Sequence, residues 1–166
     1  LEKCAERANK ILGVKKVFFF GLPDNRFDTV PLLDIIKKIE SVKNAVAPHM
    51  IFTHYWGDLN IDHQIIYQAA ITAARPVKTE TVKEIYCFEV LSSTEWDYPA
   101  LFVPDVYFDI GETLGLKIKA MAEYPSELKE YPHPRSLDGI KINAQYRGMS
   151  AGMRCAEAFK NARIIV

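Results

Sequence analysis

The sequence predicts an α/β fold of the Rossmann-like kind, in which a mainly parallel sheet lies between two layers of helices. Two observations support this three-layer arrangement. In the first half of the chain, short apolar runs that suit buried strands alternate with amphipathic segments, and such strands are usually joined by right-handed crossovers. The chain has 166 residues, of which 49% are hydrophobic. It is long enough for one domain with a hydrophobic core and too short for two ordinary domains. We expect a single domain over residues 1–166.

Helices are predicted where apolar residues recur at the helical period. The first covers residues 2–12, and Gly13 is a typical residue to follow the carboxyl end of a helix. The second has an apolar face opposite lysines and a glutamate. The second and the remaining helices are predicted over residues 31–47, 61–74, 113–124 and much of 137–159.

Strands are predicted where short apolar runs are bounded by turn residues. They cover residues 15–20, 50–53, 81–91, 101–103, 106–110 and 162–166. The strand at 50–53 delivers His54 to its carboxyl end, which is the edge where open α/β sheets bind ligands.

Composition excludes several classes of protein. The 21 basic and 21 acidic residues leave no net charge, and no basic stripe predicts a nucleic-acid partner. The three cysteines, Cys4, Cys87 and Cys155, show no zinc or disulfide spacing, which favours a reducing compartment such as the cytoplasm. There is no apolar run long enough for a transmembrane segment, and neither a dinucleotide fingerprint nor a P-loop occurs. A homo-oligomer is compatible with the sequence.

The chemistry of the chain is concentrated between the strand at 50–53 and the helix that follows it. This joint contains His54, Asp58, Asn60, Asp62 and His63. Side chains of these types can converge on a metal, a water molecule or a sugar. The joint is therefore the candidate functional site.

The residues of this joint carry a resemblance to a known family. The sequence Asp-Leu-Asn-Ile-Asp-His at 58–63, preceded by Phe-Thr-His at 52–54 and followed by Ala-Ala-Arg-Pro at 73–76, resembles the second signature motif of the PIG-L/LmbE-like zinc-dependent N-deacetylases. Further segments, in order, resemble members found with surface-polysaccharide genes; they lie at 12–14, 23–25, 92–96, 133–136, 147–148 and 156–159.

The resemblance implies an LmbE-like fold and a metal-dependent N-deacetylase. Its substrate would be an N-acetylglucosamine-type sugar or glycoconjugate, in surface polysaccharide or glycoconjugate synthesis. Zinc, or another divalent metal, would activate a water molecule for attack on the acetamide. His63 matches the histidine ligand of the second motif, and Asp62 would support the site as a carboxylate that orients a histidine.

Other site residues depart from the usual motif or have weaker assignments. Asn60 stands where a histidine is common, so it could donate a hydrogen bond to an oxyanion but cannot carry a positive charge. His54 is a substitute for that histidine and a candidate substrate contact. Asp58 and Arg75 are also predicted substrate contacts.

One family motif is absent from the sequence. The family's first motif, with His-Pro-Asp-Asp, supplies a histidine and an aspartate to the zinc, but the only His-Pro here is at 133–134 and is followed by Arg135. We expect these 166 residues to be the downstream part of a longer deacetylase, without that protein's first strand and first motif. We also expect the fragment alone to be inactive.

Structural explanations compete with the functional ones for every site residue. His63 could be satisfied by backbone or water at a helix start, and Asp62 suits the positive end of a helix dipole. Asp58 and Asn60 are both good helix caps or turn formers. His54 could be an ordinary loop residue, just as a basic residue at 75 could simply neutralise a helix end.

Two other functions remain open at this point. One is a carbohydrate- or nucleotide-binding α/β module without hydrolytic activity, which would need neither metal nor the first motif. The other is a purely structural subunit of an assembly, which predicts no ligand at residues 58–63.

Overall fold

The computed structural model describes residues Leu1–Val166, with five helices and four strands. The helices are α1 (Glu2–Ile11), α2 (Leu32–Val46), α3 (Ile61–Ala73), α4 (Leu114–Ala122) and α5 (Leu137–Ser150). The strands are β1 (Met50–His54), β2 (Glu84–Phe88), β3 (Val106–Asp109) and β4 (Ala156–Ile164). Single 3-10 turns lie at Phe27–Thr29 and Thr94–Trp96. The α/β class is thus confirmed.

The helices begin and end close to the predicted boundaries because their local signals are strong. α1 is followed by Gly13, whose φ of 74° suits a residue without a side chain. α2 is followed by Ala47, which adopts the left-handed conformation and donates its amide to Lys43 O. α3 is preceded by the cap residue Asn60, whose side-chain oxygen accepts the Asp62 amide.

The prediction of a mainly parallel sheet is wrong. The four strands form one sheet in the order β1-β2-β4-β3, in which β1 and β2 are parallel and β2 and β4 antiparallel. Asp105 N donates to Phe159 O and Ile110 N to Cys155 O, a reversed order that makes the β3 and β4 pair antiparallel as well. β1 and β2 are linked by the single helix α3, which is the kind of crossover that parallel pairing requires, whereas two helices, α4 and α5, lie between β3 and β4.

Three other strand predictions also need correction. Residues 15–20 form no strand, and the side chains of residues 17–20 are exposed. A strand needs a neighbouring strand whose backbone groups pair with its own, and apolar composition alone does not supply one. Residues 101–103 are likewise outside the sheet. The predicted last strand at 162–166 is part of β4, which begins at Ala156 within a segment where helix was expected.

Contacts divide the chain into two compact units, each of which combines two segments. The first consists of Leu1–Phe20 and Tyr107–Ala158, and within it α1 packs against α4 and α4 against α5. The second consists of Gly21–Val106 and Phe159–Val166, and it contains every residue of the candidate functional site. The single domain over residues 1–166 stays a prediction.

The core of the second unit lies between α2, α3 and the sheet. Ile35 and Ile36 of α2 pack with Ala69 and Ala73 of α3, and the small alanine side chains let the two helices approach closely. Where α3 ends, Ala74 packs with Val82 and Ile85, all of them fully buried. These contacts fix α3 and therefore the start of the helix that carries His63.

None of the five helices combines the length and hydrophobicity needed to cross a bilayer.

An ion pair joins α2 to the loop that precedes β2. Lys43 Nζ lies 2.6 Å from Glu80 Oε2, and the Val82 amide donates to Glu80 Oε1 over 2.9 Å. Burial would raise the pKa of Glu80, but the hydrogen bonds from Lys43 and Val82 outweigh it and place this pKa below its usual value. Both side chains are largely buried, so each charge depends on the other.

Replacing Lys43 with methionine should therefore destabilise the fold, because the buried Glu80 carboxylate loses its charged donor. We expect the free energy of unfolding to fall by about 1.5–3 kcal/mol at neutral pH, measured by urea denaturation. Lys37→Met, at an exposed position of the same helix, is the matched control and should change it by less than about 0.5 kcal/mol. Equal effects of the two substitutions would contradict the assigned role of the ion pair.

Candidate functional site

The candidate site forms where the parallel strands β1 and β2 end. His54 is the last residue of β1 and pairs in register with Phe88, the last residue of β2. Because parallel strands bring their carboxyl ends to the same edge of a sheet, the segments after His54 and after Phe88 emerge side by side. The segment after β1 leads into α3, and the segment after β2 contains Ser93 and Thr94.

Two short polar side chains shape the turn between β1 and α3. Asp58 Oδ1 accepts the Asn60 amide over 2.8 Å, and Asn60 Oδ1 accepts the Asp62 amide over the same distance. Such bonds to the backbone two residues further on are the ordinary behaviour of Asp and Asn in turns and helix caps. Both residues therefore have the structural role that competed with their predicted functional one.

Asp58 lies at the centre of the site. Its side chain is fully buried, and its carboxylate also accepts hydrogen bonds from Ser93 Oγ, Thr94 Oγ1 and His63 Nδ1. Burial alone would raise the pKa of Asp58, but hydrogen bonds from these three side chains and from the Asn60 amide lower it to about 2. Asp58 is thus a carboxylate at neutral pH. A substrate contact by Asp58 stays a prediction, and the burial of its side chain does not support it.

His63 is held by that carboxylate. Its Nδ1 lies 2.9 Å from Asp58 Oδ1, while its Nε2 makes no hydrogen bond. The side chain is 20% exposed, in contrast to the fully buried carboxylate behind it. The imidazole therefore has one nitrogen fixed to the protein and one nitrogen available to a ligand.

His54 covers one face of the His63 ring. The two imidazoles stack with their centroids 4.2 Å apart and their planes 20° from parallel. Burial, with the charge of His63 as a further cause, lowers the pKa of His54 to about 4, although the Asp58 carboxylate acts in the opposite direction. His54 is therefore neutral at neutral pH and cannot supply the positive charge that Asn60 lacks. Its Nδ1 is buried without a hydrogen-bond partner.

Asp62 acts on a different segment from the one predicted. Its Oδ1 accepts the amide of Phe27 over 2.9 Å, and the neighbouring Asn60 Nδ2 donates to Asn25 Oδ1 over 3.2 Å. The two side chains thereby hold residues 25–27 against the start of α3. The carboxylate that orients His63 is Asp58, so the supporting role predicted for Asp62 belongs to Asp58.

Arg75 is not brought to this cluster. It is exposed and follows the carboxyl end of α3, whereas His63 is in the first turn of that helix. Ala73, the last residue of α3, lies roughly 15 Å from His63 along the helix axis at 1.5 Å per residue. A substrate contact by Arg75 stays a prediction with no support from its position.

Sequence reasoning missed Ser93 and Thr94 as residues of the site. Both are buried and both hydroxyls donate to Asp58, which is 35 and 36 residues earlier in the chain. In the sequence, residues 92–96 are distinguished only by the family resemblance. A signal was present, since they follow a strand whose carboxyl end is next to that of β1.

The donor set fits one ligand of a metal site. A catalytic zinc usually has three protein ligands, and the chain contains no group of three His, Cys, Asp or Glu side chains arranged to hold a metal ion. His63 alone has the required features, namely a supported Nδ1 and an unpartnered Nε2. The fold and site are therefore those of an α/β protein with one candidate metal-binding histidine at a sheet edge.

Comparison with known proteins finds a family match over the first part of the chain. Residues 2–74 match the model of the PIG-L family, described as GlcNAc-PI de-N-acetylase, and this segment ends just after α3. The predicted resemblance is confirmed over these residues. Among curated protein sequences, none is similar enough to this chain to count as a match.

Two solved structures share the fold. A conserved protein from Thermus thermophilus is similar with a TM-score of 0.79 and 20% identity, over 99% of this chain and 74% of that one. The N,N'-diacetylchitobiose deacetylase from Pyrococcus horikoshii, in complex with its inhibitor MPG, gives a TM-score of 0.73 and 18% identity. This chain is covered over 98% of its length and spans 62% of that deacetylase. At such identities the likeness shows the fold alone.

Asp58→Asn should destabilise the fold in a pH-dependent way, because an amide nitrogen cannot accept the hydrogen bonds that now reach the carboxylate. We expect the free energy of unfolding at neutral pH to fall by roughly 2–4 kcal/mol. The folded pKa of about 2 lies below the ordinary 3.8, so the contribution is present above about pH 4 and is lost as the pH falls towards 2.

The measurement is urea denaturation of wild type and variant at several pH values. The difference between them should shrink on acidification, whereas the exposed Asp28→Asn should give a small difference. A large difference that stays constant down to about pH 2 would contradict the assignment of Asp58 as an ionised acceptor.

Proposed function

We propose that this chain belongs to a metal-dependent N-deacetylase that hydrolyses the acetamide of an N-acetylglucosamine-type sugar or sugar conjugate. One observation carries the proposal: within the segment that matches the PIG-L family, a buried carboxylate holds Nδ1 of His63 and leaves Nε2 available. The fold shared with a solved chitobiose deacetylase is consistent with a sugar substrate. The coarse function, a deacetylase of GlcNAc-type substrates, rests on the family match.

The environment of His63 supports its role as a metal ligand. Histidines that bind metals commonly have their second ring nitrogen hydrogen-bonded to a carboxylate, which fixes the ring and increases the basicity of the coordinating nitrogen. Asp58 supplies this carboxylate, and its burial keeps the contact out of competition with water. A surface histidine satisfied by water would need no such partner.

The ring of His54 also suits a cation nearby. Because its pKa is lowered to about 4, His54 is neutral at working pH and does not repel a divalent metal. Its stacked position shields one face of the His63 ring from water. We propose that His54 limits the access of water on this side, and that any contact with substrate is made by its exposed edge.

Zinc, when bound, would lower the pKa of a water molecule and polarise the acetamide carbonyl. His63 would contribute one ligand to it. A complete site needs further ligands that no cluster of this chain's residues supplies. An upstream His-Pro-Asp-Asp motif that supplies them remains a sequence prediction, and expression of the chain with the reading frame that precedes it tests this directly.

Asn60 and Asp62 contribute to the proposed site by positioning. The Asn60 side chain caps α3, and both side chains hold residues 25–27 beside its first turn, where His63 is located. A direct role for Asn60 in stabilising an oxyanion stays a prediction. One proton of Asn60 Nδ2 is donated to Asn25 Oδ1, so the second proton would be the donor to an oxyanion.

His63→Ala should remove metal binding and deacetylation together. In the chain extended upstream, we expect zinc affinity and acetate release from N,N'-diacetylchitobiose each to fall by more than about 100-fold. Loss of a residue that only hydrogen-bonds to a metal ligand costs roughly 10–100-fold, and loss of the ligand itself should cost more. His49→Ala is the matched control, since this exposed histidine lies just before the opposite end of β1. It should leave both quantities unchanged.

The alternative function gives a different result in the same experiment. A carbohydrate-binding module without hydrolytic activity would bind the disaccharide with no zinc, and His63→Ala would not abolish that binding. Hydrolysis that survives His63→Ala would contradict the proposed ligand.

A further inference from the structure

The turn after β2 is built to present two hydroxyl groups. The amides of Ser93 and Thr94 both donate to Val90 O, and the Glu95 carboxylate accepts the amides of Ser92 and Ser93. Ser92 adopts the left-handed region with a φ of 66°, a conformation that a non-glycine residue rarely adopts. The backbone of this turn is therefore fixed by its own hydrogen bonds.

The two hydroxyls reach the two different oxygens of one carboxylate. Ser93 Oγ donates to Asp58 Oδ1, and Thr94 Oγ1 lies 2.5 Å from Asp58 Oδ2. Thr94 Oγ1 also accepts the Val90 amide over 2.7 Å, so its single proton is directed at Oδ2. Ser93, Thr94 and Asp58 are all buried, which excludes water as a substitute donor.

These contacts leave one arrangement for the proton of His63. A carboxylate only accepts hydrogen bonds, and the turn after β2, together with the Asn60 amide, fixes the orientation of its oxygens with Oδ1 towards His63 Nδ1. A neutral imidazole has one proton, so a proton on Nδ1 leaves a lone pair on Nε2. If the carboxylate turned away from Nδ1, neither ring nitrogen would have a fixed acceptor beside it. The proton would then be shared between the two tautomers.

We propose that Ser93 and Thr94 are positioning residues that fix the proton of neutral His63 on Nδ1, through Asp58, and so leave Nε2 as the coordinating nitrogen. This proposal rests on the proposed function in one respect, namely that a metal binds to Nε2. The tautomer itself is a property of this chain's own residues and is measurable without metal or substrate.

The test is the tautomer of His63 in metal-free protein labelled with ¹⁵N-histidine. Spectra are recorded at about pH 8, above the ordinary histidine pKa of about 6.5, and His63 is assigned by comparison with His63→Ala. We expect wild type to show a protonated Nδ1 and an unprotonated Nε2. Thr94→Val and Ser93→Ala should each shift both resonances towards a mixture of tautomers, and the double variant should shift them further.

Two further variants separate positioning from general damage to the fold. Thr94→Ser keeps the hydroxyl and should restore the wild-type tautomer. Thr53→Val is the matched control, because Thr53 is buried on β1 and its hydroxyl has no hydrogen-bond partner, so the spectrum of His63 should not change. Should Thr94→Val fail to fold, as judged by circular dichroism, Ser93→Ala decides the matter.

The proposal is overturned if wild type has its proton on Nε2, if the hydroxyl variants that fold keep the wild-type tautomer, or if Thr53→Val shifts it as much as Thr94→Val. Failure of the proposed function gives a separate signature. In that case the tautomer responds as expected, but the chain extended upstream neither binds zinc nor releases acetate.

Discussion

The buried carboxylate of Asp58 is the acceptor on which the local structure of the site depends. It joins the turn after β1, the turn after β2 and the first turn of α3, because each of them donates to it. A buried charge is costly unless every part of it is hydrogen-bonded, and here four donors meet that requirement. The carboxylate thus converts three separate segments into one unit, and His63 takes its position from that unit.

The parallel pairing of β1 and β2 makes this convergence possible. Only these two strands are parallel, so only here do two strand-to-loop transitions emerge in register at the same edge. β4, which pairs with β2 on its other side, is antiparallel to it and therefore places its amino end at that edge. The fold therefore concentrates its polar side chains at a single junction, and helix α3 supplies the remaining wall.

Sequence reasoning located the helices and the polar joint because both depend on local signals. The apolar spacing of residues 31–47 and the cap at Asn60 act within a few residues. The strand expected at 15–20 failed because strand formation depends on a partner that composition does not reveal. The sequence also does not reveal that Asp58, rather than Asp62, is the partner of His63. That pairing depends on the conformation of the turn after β1 and on hydroxyl groups more than thirty residues away in the chain.

The sharing of one carboxylate among several donors also has an evolutionary consequence. Loss of any donor leaves the buried carboxylate with one hydrogen bond fewer. Loss of the carboxylate leaves several buried donors without an acceptor at once. Single substitutions at positions 58, 63, 93 and 94 are therefore all disfavoured, whereas a joint replacement by a different set of complementary groups is not. Substitutions at the four positions are therefore expected to be coupled in evolution. Homologues that differ at one of them should carry compensating differences at the others.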